Sequence, residues 1–407
     1  MAALTVLFLY LFVLAMPALA TALAQRPWDG VVDWTAARAW WAGTNPYTPE
    51  ALKAAGLASL GHPPTTSFWF LPLASLTKEQ MSQVVGHLVL VLMFAQTYWI
   101  FRTFRWTTPL LLAGVVTIWT VTTTWMQYHL YIAQVSQYLS FFFVVGWLAL
   151  RRRHDVVGGM AHGAALTIKL FPGLVIFYLL LQRRWRAVFA AGGFYLAVVI
   201  FMTSRFGVAA WQLFAKEEPE IVVFWIGNPH NSTLQGLWHR ILAPICGWTR
   251  TLNNKALILA ALSTLLMFVV TFWLARRRQA RASQHDLSTF DLSYFAVVVL
   301  SVIGNPFAFG HYTVIYLPAA FVVATYGWRE RDSWPGKLAL LAVILVWYMW
   351  RQDMYAMDPA LRLYEVTHTG HLRFHLLEAT QWAPPFILVL ATWNLLRLRP
   401  PAPPTPT

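Results

Sequence analysis

Ten stretches of this sequence are apolar enough, and nearly long enough, to cross a lipid bilayer as helices. They lie near residues 4–24, 84–101, 109–124, 134–150, 187–203, 256–274, 287–303, 312–326, 338–350 and 381–396. A hydrocarbon core about 30 Å thick takes roughly 20 helical residues to cross. Inside lipid no water reaches the backbone N–H and C=O groups, so a crossing segment satisfies them itself, as a helix does. Of the 407 residues, 58% are hydrophobic and 11% charged, where a soluble domain carries about 25% charged residues. Too little charge is present to cover a water-facing surface. That excludes a soluble globular enzyme and a disordered chain, and the expected fold class is an all-α polytopic membrane protein.

A further apolar segment, Val156–Leu181, lies between the basic clusters Arg151, Arg152, Arg153 and Arg183, Arg184, Arg186. Basic loops stay on the cytoplasmic side, so both ends belong there and the segment crosses twice or re-enters. Lys169 and Pro172 interrupt its middle, and a proline breaks the helical hydrogen-bond ladder. Two short helices meeting near Lys169 are predicted, which gives about 12 transmembrane segments with both termini cytoplasmic. The excess of 30 Lys and Arg over 16 Asp and Glu then falls almost wholly in the short cytoplasmic loops. The basic balance is thereby accounted for by membrane orientation, and no nucleic-acid partner is expected.

The first segment ends Ala22-Leu23-Ala24-Gln25, like a signal-peptide cleavage site, but no Lys or Arg precedes Arg26, so it reads as a retained helix. Three sizeable loops, 25–83, 204–255 and 351–380, face outward on this topology, and the polar work of the protein is expected there. Residues 1–400 form one transmembrane domain, and residues 401–407 a Pro-rich solvated tail. The expected location is the cytoplasmic (inner) membrane, multi-pass, with the working face extracytoplasmic. Many of the 22 tryptophans are expected at the bilayer interfaces. The lone Cys246 excludes an intramolecular disulfide and a Cys-rich zinc motif. His368, His371 and His375 have i, i+3, i+7 spacing, but no carboxylate or cysteine set accompanies them; no metal and no cofactor are expected.

The first outer loop reads Trp28-Asp29-Gly30-Val31-Val32-Asp33-Trp34, then Ala36-Ala37-Arg38-Ala39-Trp40-Trp41-Ala42-Gly43-Thr44-Asn45-Pro46-Tyr47. Residues 31–42 predict an amphipathic helix lying at the interface, which Gly43 can end. Asp29 and Asp33 are four residues apart and share a helix face. This loop resembles the first outer loop of glycosyltransferase family 87, the polyprenyl-phosphate-sugar-dependent transferases of the GT-C superfamily, which include bacterial α-mannosyltransferases and arabinofuranosyltransferases. Three more stretches match in order. His62-Pro63-Pro64-Thr65 through Leu71-Pro72-Leu73 is similar to the family's Tyr-Pro-Pro segment, with His in place of Tyr. Gly163 through Lys169 to Pro172 is similar to its Gly-x-Ala…Lys-x-x-Pro segment. Asn305-Pro306 to His311 is similar to its Pro…His segment. The chain departs from the family at Ala133-Gln134-Val135-Ser136, where a Gly-Gln-x-Asn is usual, and at Asp33, where an aromatic is common.

The resemblance implies a GT-C fold and transfer of a sugar, mannose first, from a polyprenyl-phosphate donor to a lipid or glycan acceptor. Asp29 matches the family's catalytic carboxylate. Inverting transfer needs one carboxylate to take the acceptor's proton, while the lipid phosphate is already a good leaving group. Asp33 is the second candidate for that role, or a ligand for acceptor hydroxyls. Lys169 is an ionisable residue inside an apolar segment, a functional-site candidate by its position; the donor phosphate would supply its counter-charge, with His311 donating to the same phosphate. Gln134 and Asn305, at outer helix ends, and Arg38 and Tyr47 in the first loop are candidates for sugar or acceptor contact. The bland alternatives are helix capping for the acids, snorkelling for Lys169 and interhelical hydrogen bonds for the amides. The rival function classes are a transporter or flippase of lipid-linked sugar, which would be expected to show paired intramembrane charges and internal repeats, and a non-catalytic assembly subunit.

Overall fold

The computed structural model describes residues 2–24, 29–57, 60–226, 231–246, 250–281, 286–306, 308, 312–351 and 372–398. Every regular element among them is helical. In chain order they are α1 (Ala2–Ala24), α2 (Asp29–Ala42), α3 (Pro49–Ala55), a 3-10 helix (Thr66–Leu73), α4 (Lys78–Thr103), α5 (Pro109–Val121), α6 (Thr124–Tyr131), α7 (Ser136–Arg151), α8 (Asp155–Ile168) and α9 (Gly173–Leu181). Then follow α10 (Trp185–Phe206), α11 (Val208–Ile226), α12 (Leu234–Cys246), α13 (Arg250–Gln279), α14 (Ser288–Ile303), α15 (Thr313–Arg329), α16 (Trp334–Arg351) and α17 (Leu372–Arg397).

Among the described residues, three helices are long and apolar enough to cross a membrane: α4, α10 and the Asn253–Gln279 part of α13. Shorter apolar helices occur at Phe8–Pro17, Pro109–Val121, Ser288–Ile303 and Trp334–Val346. The run expected over 109–124 shows why some fall short. Its helix ends at Val121, and the hydroxyls of Thr122 and Thr123 turn back to the carbonyls of Trp119 and Thr120 at 2.6 Å each. Such local bonds compete with helix continuation. A helix is present where one was expected over 31–42, as α2; α3 and the 3-10 helix also fall in residues 25–83, and α11 and α12 in 204–255. Residues 352–371, most of the third loop and with it His368 and His371, lie outside the described residues, as do 401–407.

The chain divides into two compact units, residues 1–150 with 154–224, and residues 151–153 with 225–407. In the first, α4 starts with a capping box: Thr77 accepts from the Gln80 amide N–H at 3.2 Å, and the Gln80 side chain accepts from the Thr77 N–H at 3.0 Å. Each bond satisfies a donor left open at a helix start. The break predicted at Lys169 is present. α8 stops at Ile168, Lys169 is extended (φ −148°, ψ 154°), and Pro172 leads into α9. α8 lies against α10, where a methyl added at Gly159 or Gly163 would run into the carbonyls of Ala187 or Ala191. Small residues four apart on both helices let the backbones close up, the packing that replaces hydrophobic drive in lipid. It fixes the end of α8, and so Lys169.

In the second unit α14 is the central helix: of its 16 residues all but Phe290 are buried. It is apolar nearly all round, as a helix enclosed by its neighbours should be. Its buried Asp291 accepts from Arg151 Nε at 3.1 Å and from the Tyr326 hydroxyl at 2.6 Å, which supplies the pairing a buried carboxylate needs. The Asn231 side chain joins residues 231–233 to the stretch after α14, donating to the Pro306 carbonyl at 3.1 Å and accepting from the Ala308 N–H at 3.1 Å.

Candidate active site

The site in the first unit is assembled by four side-chain ties between segments distant in sequence. Trp34 and Trp41, two turns apart on one face of α2, donate their indole N–H groups to the carbonyls of Leu73 and Leu71, both at 3.1 Å. α2 is thus strapped to the 3-10 helix. That helix is tied in turn to the end of α8: the Thr66 hydroxyl donates to the Ile168 carbonyl at 2.9 Å, and Trp69 donates to the Thr167 hydroxyl at 2.9 Å. The two acids of α2 and Lys169, one residue past α8, are brought together by this chain of contacts. Gly43 closes α2 with a Schellman turn, Gly43 N–H to the Trp40 carbonyl at 3.1 Å and Thr44 N–H to the Ala39 carbonyl at 2.9 Å, the ending expected from the sequence.

The N-terminus of α2 abuts the turn between α6 and α7. Gly30 N–H donates to the Ile132 carbonyl at 3.0 Å. A Cβ at Gly30 would stand 2.6 Å from the Ala133 Cβ and 2.9 Å from its carbonyl oxygen. Gly30→Ala is therefore expected to destabilise the protein by about 1–3 kcal/mol, as overpacking does, and to displace Asp29; a melting temperature unchanged from wild type would contradict this packing. The turn delivers Gln134, whose Oε1 accepts from the Val135 N–H at 2.9 Å. Its amide is thereby turned so that Nε2 donates to Asp29 Oδ2 through a short hydrogen bond.

Asp29 is half-buried. Burial pushes its carboxyl above the ordinary value of 3.8; His62 and then Lys169 oppose that shift by their charge, Asp33 adds to it, and the Gln134 hydrogen bond opposes it. The sign for stability follows. A carboxyl raised on folding holds a proton that the unfolded chain has already released, so stability falls as pH rises from the unfolded value through the folded one. Asp29→Asn is expected to stabilise the protein at neutral pH, with the gain vanishing at acidic pH below both values; thermal melting against pH checks it. For activity the same shift puts the acidic limb of the pH–rate profile above the ordinary carboxylate range, because a base must be ionised to act.

Asp33, 2% exposed, pairs with His62 at 2.9 Å, Oδ2 to Nδ1. Tyr47 is 1% exposed and its hydroxyl donates to the His62 carbonyl at 2.6 Å. Its ring is packed edge-on to Phe214 and leaves no face for a sugar; what it does in this structure is hold the loop that carries His62. Burial raises the Tyr47 phenol well above its usual range, so it stays a neutral donor. Gln134, a candidate for sugar contact, bonds Asp29 and the Val135 N–H. Arg38 is exposed, about half a turn around α2 from Asp29, with its guanidinium 4.8 Å from the Trp34 ring centroid. Asn305 lies just past α14 in the second unit, half-buried, its N–H on the Val302 carbonyl at 3.2 Å. His311 is outside the described residues.

Asp29, Asp33, Lys169 and Gln134 are thus brought together, and His62 joins them without having been singled out as a site residue. Its signal was present in the sequence: histidine stands where the resembling segment has tyrosine, and Asp33 where an aromatic is common. Among the described residues no group of three or more His, Cys, Asp or Glu is placed to hold a metal ion.

Comparison with known proteins bears on this arrangement. No solved structure matches the chain. A polyprenol-phosphate-mannose-dependent alpha-(1-2)-phosphatidylinositol mannoside mannosyltransferase of Mycobacterium tuberculosis is 25% identical over 302 residues, 70% of this chain and 66% of the relative. The match thus spans just under two thirds of the relative's own length. The family model described as Glycosyltransferase family 87 matches residues 61–301, a stretch that contains His62, Gln134 and Lys169, begins after Asp29, Asp33, Arg38 and Tyr47, and ends before Asn305 and His311. With over half its length matched, and with the family's motif residues meeting around one carboxylate, the chain belongs to glycosyltransferase family 87.

Proposed function

We propose that this protein is a multi-pass membrane glycosyltransferase that moves mannose from a polyprenyl-phosphate donor to a lipid or glycan acceptor on the outer side of the cytoplasmic membrane. The observation that carries the reading is the set of ties that brings α2, with Asp29 at its start, to the end of α8, with Lys169 one residue beyond it. An acceptor hydroxyl attacks the anomeric carbon, and its proton passes to Asp29. The bond from that carbon to the phosphate oxygen breaks, and polyprenyl phosphate leaves with the electron pair. Lys169 meets the phosphate's negative charge. Gln134 holds Asp29 in place. By the resemblance His311 is a candidate donor to the donor phosphate, and Asn305 and Arg38 are candidates for sugar or acceptor contact.

The choice of mannose is supported by the mycobacterial relative, whose name states a polyprenol-phosphate-mannose donor. Purified protein is expected to transfer labelled mannose from polyprenyl-phosphate mannose to a lipid acceptor. Transfer only from the arabinofuranose donor would change the sugar, and transfer from neither would overturn the reading.

The reading takes residues 1–400 as one transmembrane domain with about 12 crossings. In a Cys246→Ser background, single cysteines at Glu50 and Glu218 are expected to react with an impermeant reagent from outside, and those at Arg152 and Arg184 only after permeabilisation. Opposite sidedness for Arg152 and Arg184 would mean that α8 and α9 do not return the chain to the side it left.

A further inference from the structure

The run Arg276-Arg277-Arg278 lies at the end of α13, and its third member turns inward. Arg276 and Arg277 are exposed, whereas Arg278 is 4% exposed. A guanidinium carries five N–H donors. In Arg278, Nη1 donates to the Leu395 and Leu398 carbonyls at the end of α17, at 2.6 and 2.8 Å, and Nη2 donates to the Ser288 hydroxyl at 3.1 Å. The Nε–H is buried and makes no hydrogen bond to any described residue. An unmet donor in such a place is costly, and capping α17 occupies Nη1 alone. Arg278 lines a cavity of about 350 Å³ in the second unit, within the size range of small-ligand pockets. The charged side chains lining it are Arg151, Arg278, Arg329, Asp286 and Glu330. Arg151 is matched by Asp291, to both of whose oxygens its Nε donates, at 3.1 and 3.2 Å. The remaining charge is two cations against two carboxylates, a lining with both signs and no net excess.

We propose that this cavity binds a phosphodiester bearing a primary ammonium, the phosphoethanolamine group, with the phosphate on Arg278 and Arg329 and the ammonium on Asp286 and Glu330. A purely anionic ligand would be repelled by the two carboxylates, and a purely cationic one by the arginines. A ligand with one charge of each sign meets both. Planar guanidinium donors match phosphate oxygens in pairs. Carboxylates accept hydrogen bonds from an ammonium that still carries its N–H groups, so a trimethylated ammonium fits this lining less well. Asp286 is held in place for that role, since its two oxygens accept from the Ser288 N–H at 2.9 Å and the Ser288 hydroxyl at 2.8 Å. Leu292 and Leu395 give the cavity apolar wall, suited to the carbon atoms next to the headgroup of a lipid. The charge pattern places the end of α13 on the cytoplasmic side, at the depth where headgroups lie. The site is separate from Asp29 and does not rest on the reading of sugar transfer.

The test titrates the full-length protein, stripped of lipid in detergent, with dihexanoyl phosphatidylethanolamine, phosphatidylcholine and phosphatidylglycerol. A fourth titration uses glycerophosphoethanolamine, which carries the same headgroup without chains. Affinity is read from the saturable rise in melting temperature. Phosphatidylethanolamine is expected to bind at least ~10-fold more tightly than the other two lipids, the low end of what a charge-assisted contact supplies. Glu330→Gln removes one acceptor of the ammonium and tips the lining positive. The Glu330 backbone carbonyl still accepts from the Ser333 N–H at 2.8 Å, so the turn is kept. In this variant phosphatidylethanolamine should weaken roughly 10-fold and phosphatidylglycerol should strengthen, so that the preference is lost or reversed. Arg278→Gln should weaken phosphatidylethanolamine by a similar factor; should it fail to fold for want of its cap on α17, Glu330→Gln and Arg329→Gln decide. A cluster that only held helices together would change melting temperature in these variants without changing the order of the lipids. Equal affinity for the three lipids, a wild-type preference for phosphatidylglycerol, or an unchanged order in Glu330→Gln would overturn the proposal. Tighter binding of the lipid than of glycerophosphoethanolamine assigns the site to a membrane headgroup, and equal binding of the two assigns it to the soluble compound. Binding of neither overturns it.

Discussion

Asp29→Asn is expected to lose roughly 10²–10⁴-fold in transfer rate, the range general-base catalysis supplies, while still binding the lipid-linked donor. Asparagine is nearly isosteric with aspartate, and its carbonyl oxygen can accept the Gln134 amide as the carboxylate does. The backbone tie of Gly30 to the Ile132 carbonyl is untouched. What is lost is the capacity to take the acceptor's proton. Asp33→Asn should lose less, since that carboxylate is occupied by His62. Single-turnover transfer with donor binding in parallel separates the two. If Asp29→Asn turned over like wild type and Asp33→Asn were dead, the base would lie one helical turn further along α2. If both variants were active, it would have to be sought among the acids of the outer loops, Glu50 and Glu218 first.

Lys169→Met is expected to weaken donor binding roughly 10- to 100-fold, the cost of losing a charge-assisted contact worth about 1.5–3 kcal/mol, with folding intact. Methionine keeps the length of the stem and its apolar packing. The position does not depend on the charge: Lys169 is held extended by the stop of α8, by Pro172 and by the Thr66 hydroxyl on the preceding Ile168 carbonyl. Removing the ammonium also removes one of the charges that counter the burial of Asp29, so the acidic limb of the pH–rate profile should move upward in the same variant. Equal donor affinity in wild type and Lys169→Met would remove phosphate binding from the role of this residue.

The parts of the structure that were legible in the sequence are those encoded locally. The break at Lys169 follows from a charge and a proline inside an apolar run. The end of α2 follows from Gly43. The pairing of Asp29 and Asp33 on one face needs only the helical period. What could not be read is set by tertiary contacts. No periodicity joins Asp33 to His62, and the tie exists because Trp34, Trp41, Thr66 and Trp69 fasten three distant segments together. Gln134 lies in the turn just before α7, but which way its amide points depends on Ala133, whose φ of 52° is costly for a residue with a Cβ. The family's glycine at this position would adopt that conformation without strain, which gives the Ala133 departure a physical meaning. Tyr47, read from the sequence as a candidate for sugar or acceptor contact, is buried and donates to the backbone carbonyl of His62.

The central claim is that this chain performs sugar transfer at Asp29 and does not translocate lipid-linked sugar. The most direct test is to reconstitute wild type and Asp29→Asn in sealed vesicles with polyprenyl phosphate carrying labelled mannose and a lipid acceptor, and to follow both the chemistry and the leaflet of the label. The account predicts that wild type cleaves the bond from mannose to phosphate and forms mannosylated acceptor in a single turnover, and that Asp29→Asn binds the donor but forms product at least ~10²-fold more slowly. Label that stays on its original lipid and changes leaflet, equally in wild type and Asp29→Asn, would contradict it.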